Sequence, residues 1–267
     1  NLFQLLYNPV DSVVVGNFVG KTALAAVGAS NPIINLLVSF FMGISIGAGV
    51  LIARYFGARD KENLSLAVHT AMTLALLAGA VMMIAGYFLS PVILRLVGTP
   101  EDVLPGAVEY MQIYFLGIIP MMVYNMGSGV LRSVGDSRRP LYYLMAASVL
   151  NIGLDLLFVI RFRMGVSGVA WATLIAQTLS ASLTMWNLCR ADADYKLFFR
   201  KLRLNRKMLV ETIRLGLPAG LQNAIISFSN VIVQANINSF GTAAVAGCAA
   251  YNLSLIHISE PTRLRCI

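Results

Sequence analysis

The chain has 267 residues, 58% of them hydrophobic and only 12% charged, with 20 Lys and Arg against 12 Asp and Glu for a net charge of +8. A soluble domain of this length carries about twice that charged fraction, so the composition argues against a water-solvated globule, including a soluble all-α protein. The basic excess lacks the interleaved aromatics on a soluble face that nucleic-acid binding would need, and no nucleic-acid partner is expected.

Taken in order, apolar runs long enough to cross a bilayer as helices lie at 1–20 in part, then at 31–54, 66–89, 110–131, 140–160, 167–189 and 218–240. Only helices or closed barrels can cross lipid, because every backbone polar group must be satisfied internally. The runs do not alternate, so helices are expected: an all-α integral membrane protein with seven spans. Neither an initiator Met nor a signal peptide is present, and Asn1 already stands in a helix-like run, so the chain reads as truncated at its start.

Between the spans, basic residues alternate in density. The connections 54–63, 132–140 and 190–214 hold fourteen Lys and Arg. The others hold four: Lys21, Arg95, Arg161 and Arg163. The basic set is expected to be cytoplasmic, and the acidic connection 97–109 faces the other side. The predicted location is the inner (plasma) membrane of a prokaryotic cell, multi-pass, with membrane lipid as a partner.

Two stretches resemble each other. "NFVGKTALAAVGASN" (17–31) and "NSFGTAAVAGCAAYN" (238–252) share six of fifteen residues at an offset of 221. The offset spans six apolar segments, so both copies enter the membrane in the same direction, as in transporters built from two parallel halves. The chain then divides into a first lobe at 1–189, a basic linker at 190–214 and the start of a second lobe at 215–252. The remainder, 253–267, opens with "LSLIHISEPTR", which reads as a translated sequencing adapter, so His257 and Cys266 carry no expectation. Cys189 and Cys248 form no ligand motif. His69 is expected near a helix start on the basic side, with a proton relay as its alternative role.

Two carboxylates, Asp11 and Asp155, fall within spans. An ionisable residue at membrane depth costs about 2.5–3.5 kcal/mol at a helix centre and marks a functional site by default. Asn151 and Asp155 are one turn apart and share a helix face, offering an amide oxygen and a carboxylate to a hard cation. Gln4, Tyr7 or Asn8, and Asp11 share a face of the first span. Thr173, near the start of the sixth, adds a hydroxyl. If Asp11 and Asp155 meet, they titrate as one system. The alternative role for both is interhelical hydrogen-bonding glue. Pro9 and Pro120 are expected to kink their helices, Pro140 to open its helix at a tolerated position, and Gly43, Gly47 and Gly49 to allow close helix approach. No HExxH and no usable histidine cluster is present, so the chain is not expected to be an enzyme.

"LYNPVDSVVVGNFVGKTALAAVGAS", "GISIGAGVLIARYFGARDKE", "VLRSVGDSRRPLYY", "LNIGLDLLF" and "GVSGVAWATLIAQ", in this order, resemble the multidrug and toxic compound extrusion (MATE) family across 1–252. The resemblance implies twelve helices in two six-helix lobes around a central cavity that opens alternately to each side. It implies export of small cationic amphipathic substrates in exchange for protons or sodium ions, with no other cofactor. By resemblance to one branch of the family, Asp11, Asn151, Asp155 and Thr173 form the cation-coupling site, the same four being the candidate sodium ligands. Gln4, Tyr7, Asn125 and Ser148 then line the substrate cavity. The absent second lobe would be this chain's chief structural partner. Rival readings are a lipid-linked oligosaccharide flippase of the same superfamily, which a cavity lined with Arg and Lys would favour, and a non-transporting structural membrane protein.

Overall fold

The computed structural model describes residues 21–96, 99, 101 and 103–239, and among these there is helix and no strand. Gln4, Tyr7, Pro9 and Asp11, Cys248, the segment 253–267 and nearly all of the second repeat copy lie outside the described residues. The helices are α1 (Lys21–Gly57), α2 (Lys61–Leu96), α3 (Leu104–Leu116), α4 (Ile118–Ser133), α5 (Arg138–Leu156), α6 (Gly165–Arg190) and α7 (Arg206–Ser239). A π-helical turn, Leu157–Arg161, extends α5, and a 3₁₀ turn, Phe199–Lys201, lies between α6 and α7.

Four of these segments are long and apolar enough to cross a membrane: Ile34–Gly57, Lys61–Leu96, Arg138–Arg161 and Gly165–Arg190. The bent pair α3 and α4 makes a fifth. The five match the runs expected at 31–54, 66–89, 140–160, 167–189 and 110–131. The run at 218–240 is helical, as part of α7, through Ser239, but its described part does not reach the same apolarity. Gln222, Asn223, Asn230, Gln234 and Asn236 dilute it. At 36 residues α2 is about 54 Å long, well beyond the roughly 30 Å of hydrocarbon it must cross.

Polar residues at the loop edges set where helices start. Asp60 caps α2: its carboxylate accepts from the Asn63 N–H at 3.1 Å and from the Asn63 side chain at 2.7 Å. Those hydrogen bonds, the side-chain one foremost, hold its carboxyl below the usual carboxylate range. Asn205 caps α7 by accepting from the N–H groups of Lys207 and Met208 at 3.0 and 3.2 Å, as short polar side chains do at helix starts. Pro140 is the third residue of α5, inside the first turn where a missing N–H costs little, and its carbonyl accepts the Tyr124 hydroxyl at 3.1 Å.

The expected kink near Pro120 is present but displaced. The chain bends by 46° between α3 and α4, around Gly117, three residues earlier. Pro120 cannot donate to the Leu116 carbonyl, and its ring crowds that same group. The ladder therefore breaks before the proline, between residues 116 and 118.

The main core lies where α1, α2, α3, α4 and α6 meet, around Ile52, Val68, Met72, Met111, Phe115, Leu131 and Leu188. Helix α5 packs chiefly on α6 and shows Val149, 73% exposed, to its surroundings. The apolar residues Val81 and Phe88 of α2 are likewise outward, 66% and 72% exposed.

By Cα proximity the chain forms two compact units, 1–223 and 224–267. Within the first, α7 meets α1 through glycine. A Cβ on Gly43 would overlap the Gly220 backbone, and one on Gly47 would overlap Gly216. Both helices carry a Gly-x-x-x-Gly spacing, which lets backbones touch. The buried stripe of α7 in this unit is Met208, Thr212, Gly216 and Gly220, one turn apart each, with exposed residues between. Gly49, grouped with Gly43 and Gly47 from sequence, faces α4 instead, where a Cβ would meet the Ser133 hydroxyl at 3.0 Å. Residues 224–239 of the second unit are helical.

Candidate functional site

The buried stripe of α5 and its π turn is Ala147, Asn151, Asp155 and Val159, again at four-residue spacing. Asn151 and Asp155 are both 0% exposed. The amphipathic order is thus inverted, with Val149, Leu156 and Leu157 outward and an amide and a carboxylate inward. Among the described residues Asp155 is the one buried carboxylate. The π turn begins two residues after it, where the Phe162 N–H donates to the Leu157 carbonyl at 3.1 Å. Such turns recur at functional sites, because they re-aim side chains without ending a helix.

Thr173 is 6% exposed and stands on the buried face of α6, the helix against which α5 packs. None of Asn151, Asp155 and Thr173 stands without an interaction partner. The three sequence-predicted cation residues within the described chain are therefore all interior, on two adjoining helices. Asp11, the fourth, lies outside the described residues. The donor set is oxygen-only, as a sodium ion or proton would use. Among the described residues no cluster of three His, Cys, Asp or Glu exists that would suit a tightly held transition metal.

Asn125 lies on α4 between two hollows. One is a cavity of about 470 Å³ lined by α1 and α4, with Ser45, Gly49, Arg132 and Ser133 among its walls. The other is a void of about 30 Å³ bordered by Met42, Met121, Met122 and Met126. Asn125, Ser45 and Met42 border both. The Asn125 carbonyl accepts the hydroxyls of Ser45 (3.2 Å) and Ser128 (3.1 Å), which fixes the wall there. Methionine is flexible and polarisable, so this wall can repack. Ser148 is half-buried, spends its hydroxyl on the Leu144 carbonyl at 2.9 Å, and borders neither hollow. Gln4 and Tyr7 lie outside the described residues.

Sequence reasoning missed Ser45, whose Gly-rich surroundings looked purely structural. It also missed the role of His69. His69 is not at a helix start but more than two turns into α2, and it is 2% exposed. Its Nδ1–H donates to the Ser65 carbonyl at 2.7 Å, and its Nε2 accepts the Phe198 N–H at 3.1 Å. The partners fix this tautomer. One residue on, the Thr70 hydroxyl accepts the Asn205 N–H at 3.3 Å. Together they clamp the 191–205 connection at two points. The contact spans 129 residues of sequence, and no local pattern could announce it.

The MatE family model matches residues 1–157. The chain is 31% identical to "Probable multidrug resistance protein YoeA" of Bacillus subtilis over 98% of its own length and 58% of that protein. It is 32% identical to "Probable multidrug resistance protein YpnP" of the same organism over 94% of its length and 56% of that protein. A more distant relative is the FAD transporter of Shewanella oneidensis, 26% identical over 86% of this chain and 52% of that one. Two solved conformations of a multidrug resistance MATE family transporter also match. The outward-facing one has TM-score 0.86 at 27% identity over 96% of this chain and 57% of that one. The inward-facing one has TM-score 0.78 at 30% identity over 84% and 51%. The chain thus spans a little over half the length of the relatives it matches.

Proposed function

This chain belongs to the MatE family, and from that membership we propose that it is the first-lobe portion of a multidrug efflux antiporter, not an enzyme. It is a multi-pass membrane protein. The proposed setting is the inner membrane of a prokaryote, with the basic loops cytoplasmic. Residues 1–189 form the first lobe, 190–214 the linker and 215–252 the start of a second, similar lobe. The proposed substrates are small cationic amphipaths, exchanged for protons or sodium ions by alternating access.

The observation that carries this reading is the inverted face of α5. Burying an unexposed carboxylate in a lipid-embedded helix is costly, and a cation that comes and goes is a reason to retain it. Asn151, Asp155 and Thr173 supply amide, carboxylate and hydroxyl oxygens to that cation, with Asp11 as the further ligand. A coupling ion shifts which side the cavity faces only through different affinity for the two states. Competition between substrate and ion for the same carboxylates then yields exchange. Gln4, Tyr7, Asn125 and Ser148 are the proposed substrate contacts, and Asn125 has the support of bordering both hollows.

A second reading, export of anionic compounds, has two observations in its favour. Arg132 stands on the wall of the 470 Å³ cavity, and one relative is an FAD transporter. The test of both is transport by the full-length protein in everted vesicles under an imposed proton or sodium gradient. Gradient-driven uptake of a cationic dye, lost in Asp155→Asn, supports the first reading. Uptake of an anionic dye alone, lost in Arg132→Gln, replaces it with the second.

A further inference from the structure

We propose that the strap 195–207, which runs from the α6–α7 connection into the first turn of α7, is a docking surface for the anionic phospholipid headgroups of the leaflet it borders. Thirteen residues here hold six cations (Lys196, Arg200, Lys201, Arg203, Arg206 and Lys207) and no acid. A charge bias of this kind can serve topology alone, but topology needs neither a fixed geometry nor exposed aromatics. The strap has both.

Its geometry is fixed from beneath. Leu197 is 2% exposed, and Leu197 and Leu202 pack into the main core. The Leu197 N–H donates to the Leu188 carbonyl of α6 at 2.9 Å. His69 holds the Phe198 N–H and Thr70 the Asn205 N–H. With the leucines inward, the outward residues are Phe198 (44% exposed), Phe199 (63%) and Leu204 (42%). The strap therefore has an apolar outer face that its own core does not use. The Lys196 and Lys201 ammonium groups stand over the Phe198 ring at 5.6 and 5.0 Å, so positive charge flanks the exposed aromatic.

The height of the strap is marked independently. Trp186, on the last turns of α6, is 57% exposed, and the Arg190 guanidinium lies over its ring at 5.0 Å. Exposed tryptophan with a neighbouring cation is typical of the membrane–water boundary, and the Leu197 N–H bond to the Leu188 carbonyl ties the strap to that end of α6. Aromatic side chains reaching the acyl boundary, ringed by cations at headgroup level, fit an anionic bilayer surface. Of the nearby acids, Asp194 pairs with Lys61 at 3.1 Å, and Asp60, which also feels Lys207, is engaged chiefly by Asn63.

The proposal needs only the membrane spans, so it stands or falls apart from the transport reaction. The test places a spin label at Leu204→Cys in the full-length protein, native cysteines replaced, in nanodiscs of phosphatidylcholine with or without phosphatidylglycerol. Collision with oxygen against a water-soluble nickel complex reads immersion. The expected result is immersion in the anionic nanodiscs only. Each cation removed should weaken the association about fivefold. Arg200→Gln with Lys201→Gln and Arg203→Gln should therefore abolish it, with helix content and size-exclusion profile unchanged. Equal immersion in both lipids, exposure to nickel in both, or shielding from both reagents would each overturn the proposal.

Discussion

Gly43→Ala tests the crossing of α1 and α7. The added methyl would overlap the N and Cα of Gly220 and stand 2.7 Å from the Ala219 carbonyl carbon. All three are backbone atoms and cannot swing aside. Ordinary van der Waals contact begins at 3.4 Å, so the helices must part by roughly 1 Å or more, which forfeits much of the dispersion along the seam. Overpacking costs about 1–3 kcal/mol, while alanine for glycine within a helix returns about 0.5–1 kcal/mol. The net expectation is a loss of about 1–2 kcal/mol, or a five- to thirtyfold shift of the unfolding equilibrium. Gly153→Ala is the matched control, because a Cβ there meets nothing within 4 Å. It should gain the helix-propensity term alone. Unfolding of the full-length protein by SDS in mixed micelles, followed by the fluorescence of Trp171 and Trp186, reads both. Equal stability changes for the two alanines would refute the close crossing.

The clamp on the linker predicts that His69→Ala leaves the Phe198 N–H unsatisfied at a cost of about 1–3 kcal/mol. The readout is faster hydrogen exchange at Phe198 and faster tryptic cleavage after Lys196, Arg200 and Lys201. Pro120→Ala restores an N–H that can reach the Leu116 carbonyl, so the 46° bend should relax; a spin-label distance between α3 and α4 should lengthen. Asp60 has a lowered pKa in the folded protein. Its contribution is thus complete above the unfolded value, near 4, and lost as pH falls through the lower folded value. Asp60→Ala should therefore be less stable than wild type at neutral pH, and the difference should vanish in acid, as pH-dependent SDS titrations would record.

Five of the seven expected spans were legible because each is a run of about twenty apolar residues, and hydrophobic length survives any tertiary context. Asn151 and Asp155 were legible for the opposite reason: polar side chains interrupt such a run at one-turn spacing, and the structure turns that spacing inward. The place of the bend was not, since Pro120 acts on the carbonyl four residues before it. His69 was read from position alone, and its partner comes from a segment 129 residues away. Gly43 and Gly47 announce a close approach, but nothing in their own run names the partners, Gly216 and Gly220 of α7, a helix that continues through Pro218.

The central claim is that Asp155 holds the coupling cation. Its most direct test is the affinity of the purified full-length protein for a fluorescent cationic substrate across a range of pH and sodium concentrations. Linkage requires that a cation competing at Asp155 weaken substrate binding, and that substrate weaken the cation's binding by the same factor. Wild type should bind substrate more weakly as protons or sodium rise. Asp155→Asn should lose that dependence on the coupling cation while the protein remains folded. An unchanged cation dependence in Asp155→Asn would contradict the account.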